Sequence, residues 1–128
     1  MSRLVDAEYW QRQCDLFFPP EGEYTYGSAR GKTVEDVNAY TGGWFANTTR
    51  LIWTNGQYDP WKDATVSSDF RPGGPLESTD AAPVQVIPSG VHCSDLHARN
   101  GAVNEGVQEI IDNEIAQIKT WVEEYYSS

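Results

Sequence analysis

Two histidines, two cysteines and one methionine are all that the 128 residues hold of the softer metal-ligating side chains. Two cysteines permit a single bridge, Cys14 to Cys93, which excludes a disulfide-framework fold. No cysteine and histidine cluster has zinc spacing. The one loose grouping, His92 and His97 with Asp95, is discounted as a ligand set, so no metal and no cofactor is expected. Cations are scarce too: nine Lys and Arg stand against nineteen Asp and Glu, a net charge of −10. That balance argues against nucleic acid or an anionic membrane surface as a partner. It suits a secreted or vacuolar protein that works in acid, where partly protonated carboxylates repel one another less. No apolar run approaches the roughly 18 residues that span a bilayer. The opening stretch, Met1-Ser2-Arg3-Leu4-Val5-Asp6, lacks the apolar centre of a signal peptide. Internal repeats and low-complexity tracts are absent.

What is present suffices for one modest domain: 39% hydrophobic residues, including five tryptophans. Val5 to Leu16 reads as a helix, with Trp10, Cys14 and Phe17 at spacings of three and four, ended by Phe17-Phe18-Pro19-Pro20. Glu21 to Lys32 reads as a loop punctuated by Gly22, Gly27 and Gly31. Thr33 starts a short helix in a near capping box with Asp36, and Gly42-Gly43 stops it. Thr49 to Asn55 and Pro83 to Ile87 read as strands. Ala64 to Ser68 reads as a helical turn, and Asp69 to Ala82 as loop around Arg71-Pro72-Gly73-Gly74-Pro75. From Gly101 or Asn104 a long helix follows, with Val103, Val107, Ile110, Ile111, Ile115, Ile118, Val122 and Tyr125 on one stripe. Strand, crossover and strand imply parallel neighbours with the last helix on the same sheet. Asn47-Thr48-Thr49 is an N-glycosylation sequon in a loop, with Asn47 as the acceptor.

The chemistry concentrates after the two strands. Leu51-Ile52-Trp53 leads into Asn55-Gly56-Gln57-Tyr58-Asp59-Pro60-Trp61, where Pro60 keeps Asp59 out of the helical region. Val84, Val86 and Ile87 lead through Pro88-Ser89-Gly90 to Gly90-Val91-His92-Cys93-Ser94-Asp95-Leu96. Taken singly, each has a plain reading. Asp59 before Pro60 makes a helix N-cap, Asn55-Gly56 makes a hairpin turn, and a lone His92 by a turn needs no function. Taken together, an acid after one strand and a histidine after the next form the tail of an α/β-hydrolase triad, whose chain order is serine, acid, histidine.

These two motifs resemble those of the prolyl-specific serine peptidases, the group of lysosomal Pro-X carboxypeptidase, dipeptidyl-peptidase II and the fungal secreted prolyl endoproteases. The resemblance extends to Tyr9-Trp10-Gln11-Arg12-Gln13-Cys14 and to the stretch from Asn38 to Gly43, and the fungal branch is the most similar. It implies Asp59 as triad acid and His92 as triad base, a peptide substrate containing proline, and a secreted or lysosomal location. It also implies that Cys14 bonds to an upstream partner outside the chain. The group's nucleophile sits in a Gly-x-Ser-Tyr-Gly-Gly elbow. No serine here has glycines at that spacing; Tyr26-Gly27-Ser28-Ala29 comes nearest and lacks the second glycine. The expectation is therefore an α/β fold, the C-terminal part of an α/β-hydrolase sheet with a long C-terminal helix. Residues 1–32 would be the end of a helical cap region and its loop, and residues 33–128 the hydrolase part. The nucleophile would belong to a missing N-terminal portion, leaving this chain inactive alone. Two rivals stand beside it. One is another α/β-hydrolase, a serine carboxypeptidase or a lipase. The other is a non-catalytic module that stacks ligands on Trp44, Trp53 and Trp61; burial of Trp53 and Trp61 would count against it.

Overall fold

The computed structural model describes residues 4–127. They form two compact units, Met1–Gly43 and Trp44–Ser128.

In the first unit, the helix read from Val5 to Leu16 is two short helices, α1 (Ala7–Gln11) and α2 (Gln13–Phe17), separated at Arg12. Asp6 caps α1 by accepting from Tyr9 N–H at 2.8 Å, and Arg12 N–H closes it on Glu8 O at 3.0 Å. No residue of α1 is buried, and Trp10, Leu16 and Phe17 are exposed. The apolar spacing therefore meets no packing surface that would reward one continuous helix, and short helices are marginal without such packing. The third helix, α3 (Val34–Thr41), has the full capping box. Thr33 Oγ1 accepts from Asp36 N–H, and Asp36 Oδ2 accepts from Thr33 N–H at 2.8 Å. It ends at Gly42 in the left-handed conformation, φ 86°.

The second unit is built on a two-stranded sheet, β1 (Trp53–Gly56) and β2 (Val84–Ile87). The strands are parallel, with Trp53 opposite Val84 and Gly56 opposite Ile87. Leu51 and Ile52 lie outside β1, which starts later than the apolar run predicts. Arg50 is left-handed, φ 55°, and its N–H bonds to Ala81 O at 2.7 Å, so the chain turns before it joins the ladder. After β2 come a short helix, α4 (Ala98–Gly101), and the long helix α5 (Glu105–Ser127). Asn104 opens α5: its Oδ1 accepts from Gly106 N–H at 2.9 Å and Val107 N–H at 3.3 Å.

The core is where α5 crosses β2. Ile87, Val107 and Ile110 are buried together, and Ile111 packs against them. Further along α5 the stripe emerges, with Ile115, Ile118 and Val122 each about half exposed and Tyr125 exposed. Two strands at about 4.8 Å spacing underlie only the first turns of a 23-residue helix about 34 Å long. Two polar ties extend the contact. Thr54 Oγ1 donates to Glu114 at 2.6 Å, and Arg50 donates to Trp121 O at 3.2 Å and pairs with Glu124. No described helix is long and apolar enough to cross a membrane.

Candidate active site

Each strand of the sheet ends in a loop, and the two loops lie side by side. Beyond β1 the chain runs Gln57-Tyr58-Asp59. Gln57 N–H bonds to Ile87 O at 3.0 Å and Tyr58 N–H to Gly90 O at 2.8 Å, so the β1 loop continues to pair with the β2 loop past the end of the ladder. The approach requires Gly56. A Cβ there would sit 2.5 Å from Val91 O and 2.7 Å from Gly90 O.

Asp59 is buried, at 8% exposure, and both its oxygens are used. Oδ1 accepts from Trp61 N–H at 2.8 Å, and Oδ2 stands 3.0 Å from His92 Nδ1. Asp59 is not the N-cap of the helical turn that follows, which starts after Trp61 with no side-chain cap. One oxygen turns the chain after Pro60, and the other meets the histidine. The same Trp61 bond moves the helical turn forward: a 3-10 turn forms at Lys62–Ala64, not at Ala64 to Ser68, with Lys62 N–H on Asp59 O at 3.1 Å. Thr65 Oγ1 then bonds back to Asn55 Oδ1 at 2.8 Å, and Lys62 pairs with Asp69 at 2.9 Å.

Burial of the Asp59 carboxylate works to raise its pKa. The hydrogen bond from His92, the Trp61 N–H and the positive charge available on His92 outweigh it, and Asp59 is held below the ordinary carboxylate value. An ionised Asp59 accepts only, so the bond requires the proton on His92 Nδ1. The His92 side chain is 58% exposed, and its Nε2 is bonded to no described residue. An imidazole oriented by a buried carboxylate, with its second nitrogen open, can take a proton from a nucleophile within hydrogen-bond reach of that nitrogen. No described serine hydroxyl bonds to His92.

The loop carrying His92 is held by residues that the sequence motifs do not single out. Ser94 Oγ accepts from Val91 N–H and donates to Val91 O, both at 2.9 Å. Asn100 Nδ2 donates to Ser94 O at 2.8 Å, and Asn104 Nδ2 to Pro88 O at 3.2 Å. Ser89 and Cys93, at φ 56° and 54°, are both left-handed. The local signal for these ties was the density of Ser and Asn around a turn.

The remaining candidates lie elsewhere. Asn47 is exposed in irregular chain before β1. Of the two cysteines, Cys14 lies in α2 of the first unit and is half-buried, and Cys93 lies in the turn after His92 and is exposed. Among the described residues no group of His, Cys, Asp or Glu is arranged to hold a metal ion. Of the three tryptophans that a stacking module would present, Trp44 and Trp53 are half-buried and Trp53 donates its indole N–H to Thr48. Trp61 is 63% exposed.

No family model matches the sequence. Over 126 residues, 98% of the chain, it is 47% identical to serine protease vicPb of Bipolaris victoriae, and over 125 residues 44% identical to serine protease vicPa of the same fungus. The chain is a homologue of these serine proteases. Lysosomal Pro-X carboxypeptidase of Bos taurus is 32% identical over 87 residues, 68% of the chain. The similarity to serine peptidases thus holds across both fungal and mammalian relatives. The chain spans 23% of the length of the fungal relatives and 16% of the bovine one.

Proposed function

We propose that this chain supplies the acid and the base of a serine peptidase site that cleaves after proline. In this reading it is the C-terminal part of an α/β-hydrolase whose nucleophilic serine lies outside the 128 residues. The observation that carries the reading is the 3.0 Å contact between Asp59 Oδ2 and His92 Nδ1, made by two loops from adjacent parallel strands. Sites in open parallel sheets form at such carboxyl ends.

The serine hydroxyl attacks the carbonyl carbon of the proline residue itself. His92 Nε2 takes its proton and later returns it to the leaving amine. Asp59 accepts from Nδ1–H, fixes the tautomer and stabilises the imidazolium. The oxyanion donors belong to the elbow and an earlier loop, so they too come from the missing N-terminal portion, which is the partner that this chain requires. The substrate is a peptide containing proline. The name of the bovine relative supports that class and a lysosomal setting. A serine carboxypeptidase of another specificity, or a lipase, would use the same pair on a different substrate.

The test is reconstitution. The chain alone is expected to release no chromophore from a proline-linked substrate at acidic pH. Combined with an N-terminal portion that bears the serine elbow, it is expected to do so. In that complex His92→Ala abolishes turnover, and Asp59→Asn lowers it about 10⁴-fold, the size seen when the tautomer is lost. Turnover by the 128-residue chain alone, insensitive to a serine-directed inhibitor, would overturn the reading.

A further inference from the structure

Besides the Asp59 to His92 contact, three hydrogen bonds cross between the two site loops. Two are backbone to backbone, Gln57 N–H to Ile87 O and Tyr58 N–H to Gly90 O. The third is made by a side chain: Ser89 N–H donates to Gln57 Oε1 at 2.8 Å, across 32 positions of sequence. Among the described residues it is the one side-chain tie between these loops apart from the acid and base themselves. Ser89 is left-handed at φ 56°, a conformation uncommon for a residue with a Cβ, and it lies three positions before His92. Gln57 lies two positions before Asp59 and is exposed, so it adds nothing to the buried core. A long polar side chain on the surface normally stays in solvent, because ordering it costs conformational entropy.

We propose that Gln57 is a positioning residue for the acid and base pair. Its amide carbonyl holds Ser89 N–H, keeps the Pro88-Ser89-Gly90 turn in its left-handed form, and thereby sets how near His92 comes to Asp59. The role rests on the triad reading above for its consequence, though not for its geometry. Ser94, Asn100 and Asn104 fix the His92 loop internally and to α4 and α5; Gln57 places that loop relative to the acid. Gly90 N–H closes the Pro88-Ser89-Gly90 turn on Ile87 O at 3.0 Å and Asn104 Nδ2 holds Pro88 O at 3.2 Å; the Gln57 carbonyl adds the tie from Ser89 N–H to the loop that carries the acid.

The experiment follows the Asp59 carboxyl carbon by NMR as pH is lowered, in the 128-residue chain, with far-UV circular dichroism as a check on folding. In the unaltered chain the midpoint is expected below the free-carboxylate value, because the bonds from His92 and Trp61 N–H outweigh burial. Gln57→Met keeps the side-chain length and removes the acceptor. The midpoint is expected to rise to or above the free value, because burial then acts without the full bond from His92. Gln57→Glu retains an acceptor oxygen and is expected to keep the midpoint below the free value. His92→Ala separates the two ideas. If it raises the midpoint while Gln57→Met does not, the positioning role is overturned and the triad reading stands. If His92→Ala leaves the midpoint where it was, the pair itself is absent and both fall. A Gln57→Met chain that loses its helical signal would assign Gln57 to the fold and would also overturn the positioning role.

Discussion

Gly56→Ala is the smallest change that tests the closeness of the two loops. Gly56 is not among the residues with positive φ, so alanine suffers no dihedral penalty there and any effect comes from contact. The added Cβ would stand 2.5 Å from Val91 O, whereas ordinary contact begins at 3.4 Å. The obstruction is backbone, which cannot swing aside like a side chain. The loop at Gly90 and Val91 must therefore retreat by about 0.9 Å. A retreat of that size takes the Tyr58 N–H to Gly90 O bond from 2.8 Å to about 3.7 Å. It takes the Asp59 to His92 contact from 3.0 Å to about 3.9 Å. Both then exceed the roughly 3.2 Å limit of a sound hydrogen bond. Overpacking costs about 1–3 kcal/mol, and each weakened bond about 1 kcal/mol more. The expected loss is roughly 3–5 kcal/mol of unfolding free energy by chemical denaturation, with faster hydrogen exchange at the Tyr58 amide. An alanine variant with an unchanged denaturation midpoint and a protected Tyr58 amide would refute the steric argument.

Two further outcomes are expected. Folding holds Asp59 below the ordinary carboxylate value, so its contribution to stability is complete above the unfolded-state pKa and is lost as pH falls through the folded one. Stability measured downward from about pH 5 should therefore fall more steeply for the unaltered chain than for Asp59→Asn, and parallel curves would contradict the sign. In a glycosylating host the exposed sequon should carry one glycan, removed by Asn47→Gln or by Thr49→Ala and read as a loss of mass; a mass unchanged by both would rule it out.

The elements most legible in the sequence were those with a long period or a distinctive motif. The 3.6-residue stripe from Val107 onward located α5, because its repeat persists over many turns. How much of the stripe is covered was not legible, since that depends on how much sheet lies beneath it. Asp59 and His92 stood out because the two motifs that carry them, in that order, resemble those of a peptidase family, and the structure brings them to 3.0 Å. The start of β1 was misplaced because apolar Leu51 and Ile52 look like strand, while the left-handed turn at Arg50 leaves no trace in periodicity. The break at Arg12 was missed for a related reason: spacing shows an apolar face and says nothing about whether a surface receives it. Nothing in the local sequence pattern distinguishes Gln57, and only the pairing of the two loops reveals what its amide touches.

The parallel pairing of β1 with β2 also orders events during folding. Helix α5 is made of contacts close in sequence and can nucleate on its own scale of about a microsecond. Trp53 cannot meet Val84 until the intervening chain closes as a loop, and that closure is opposed by entropy. Asp59 and His92 lie just beyond the paired strands, so their contact forms only after the slow step and is among the first lost when the sheet opens. A spectroscopic reporter on the Asp59 and His92 pair would therefore lag helix formation in refolding and lead helix loss in unfolding.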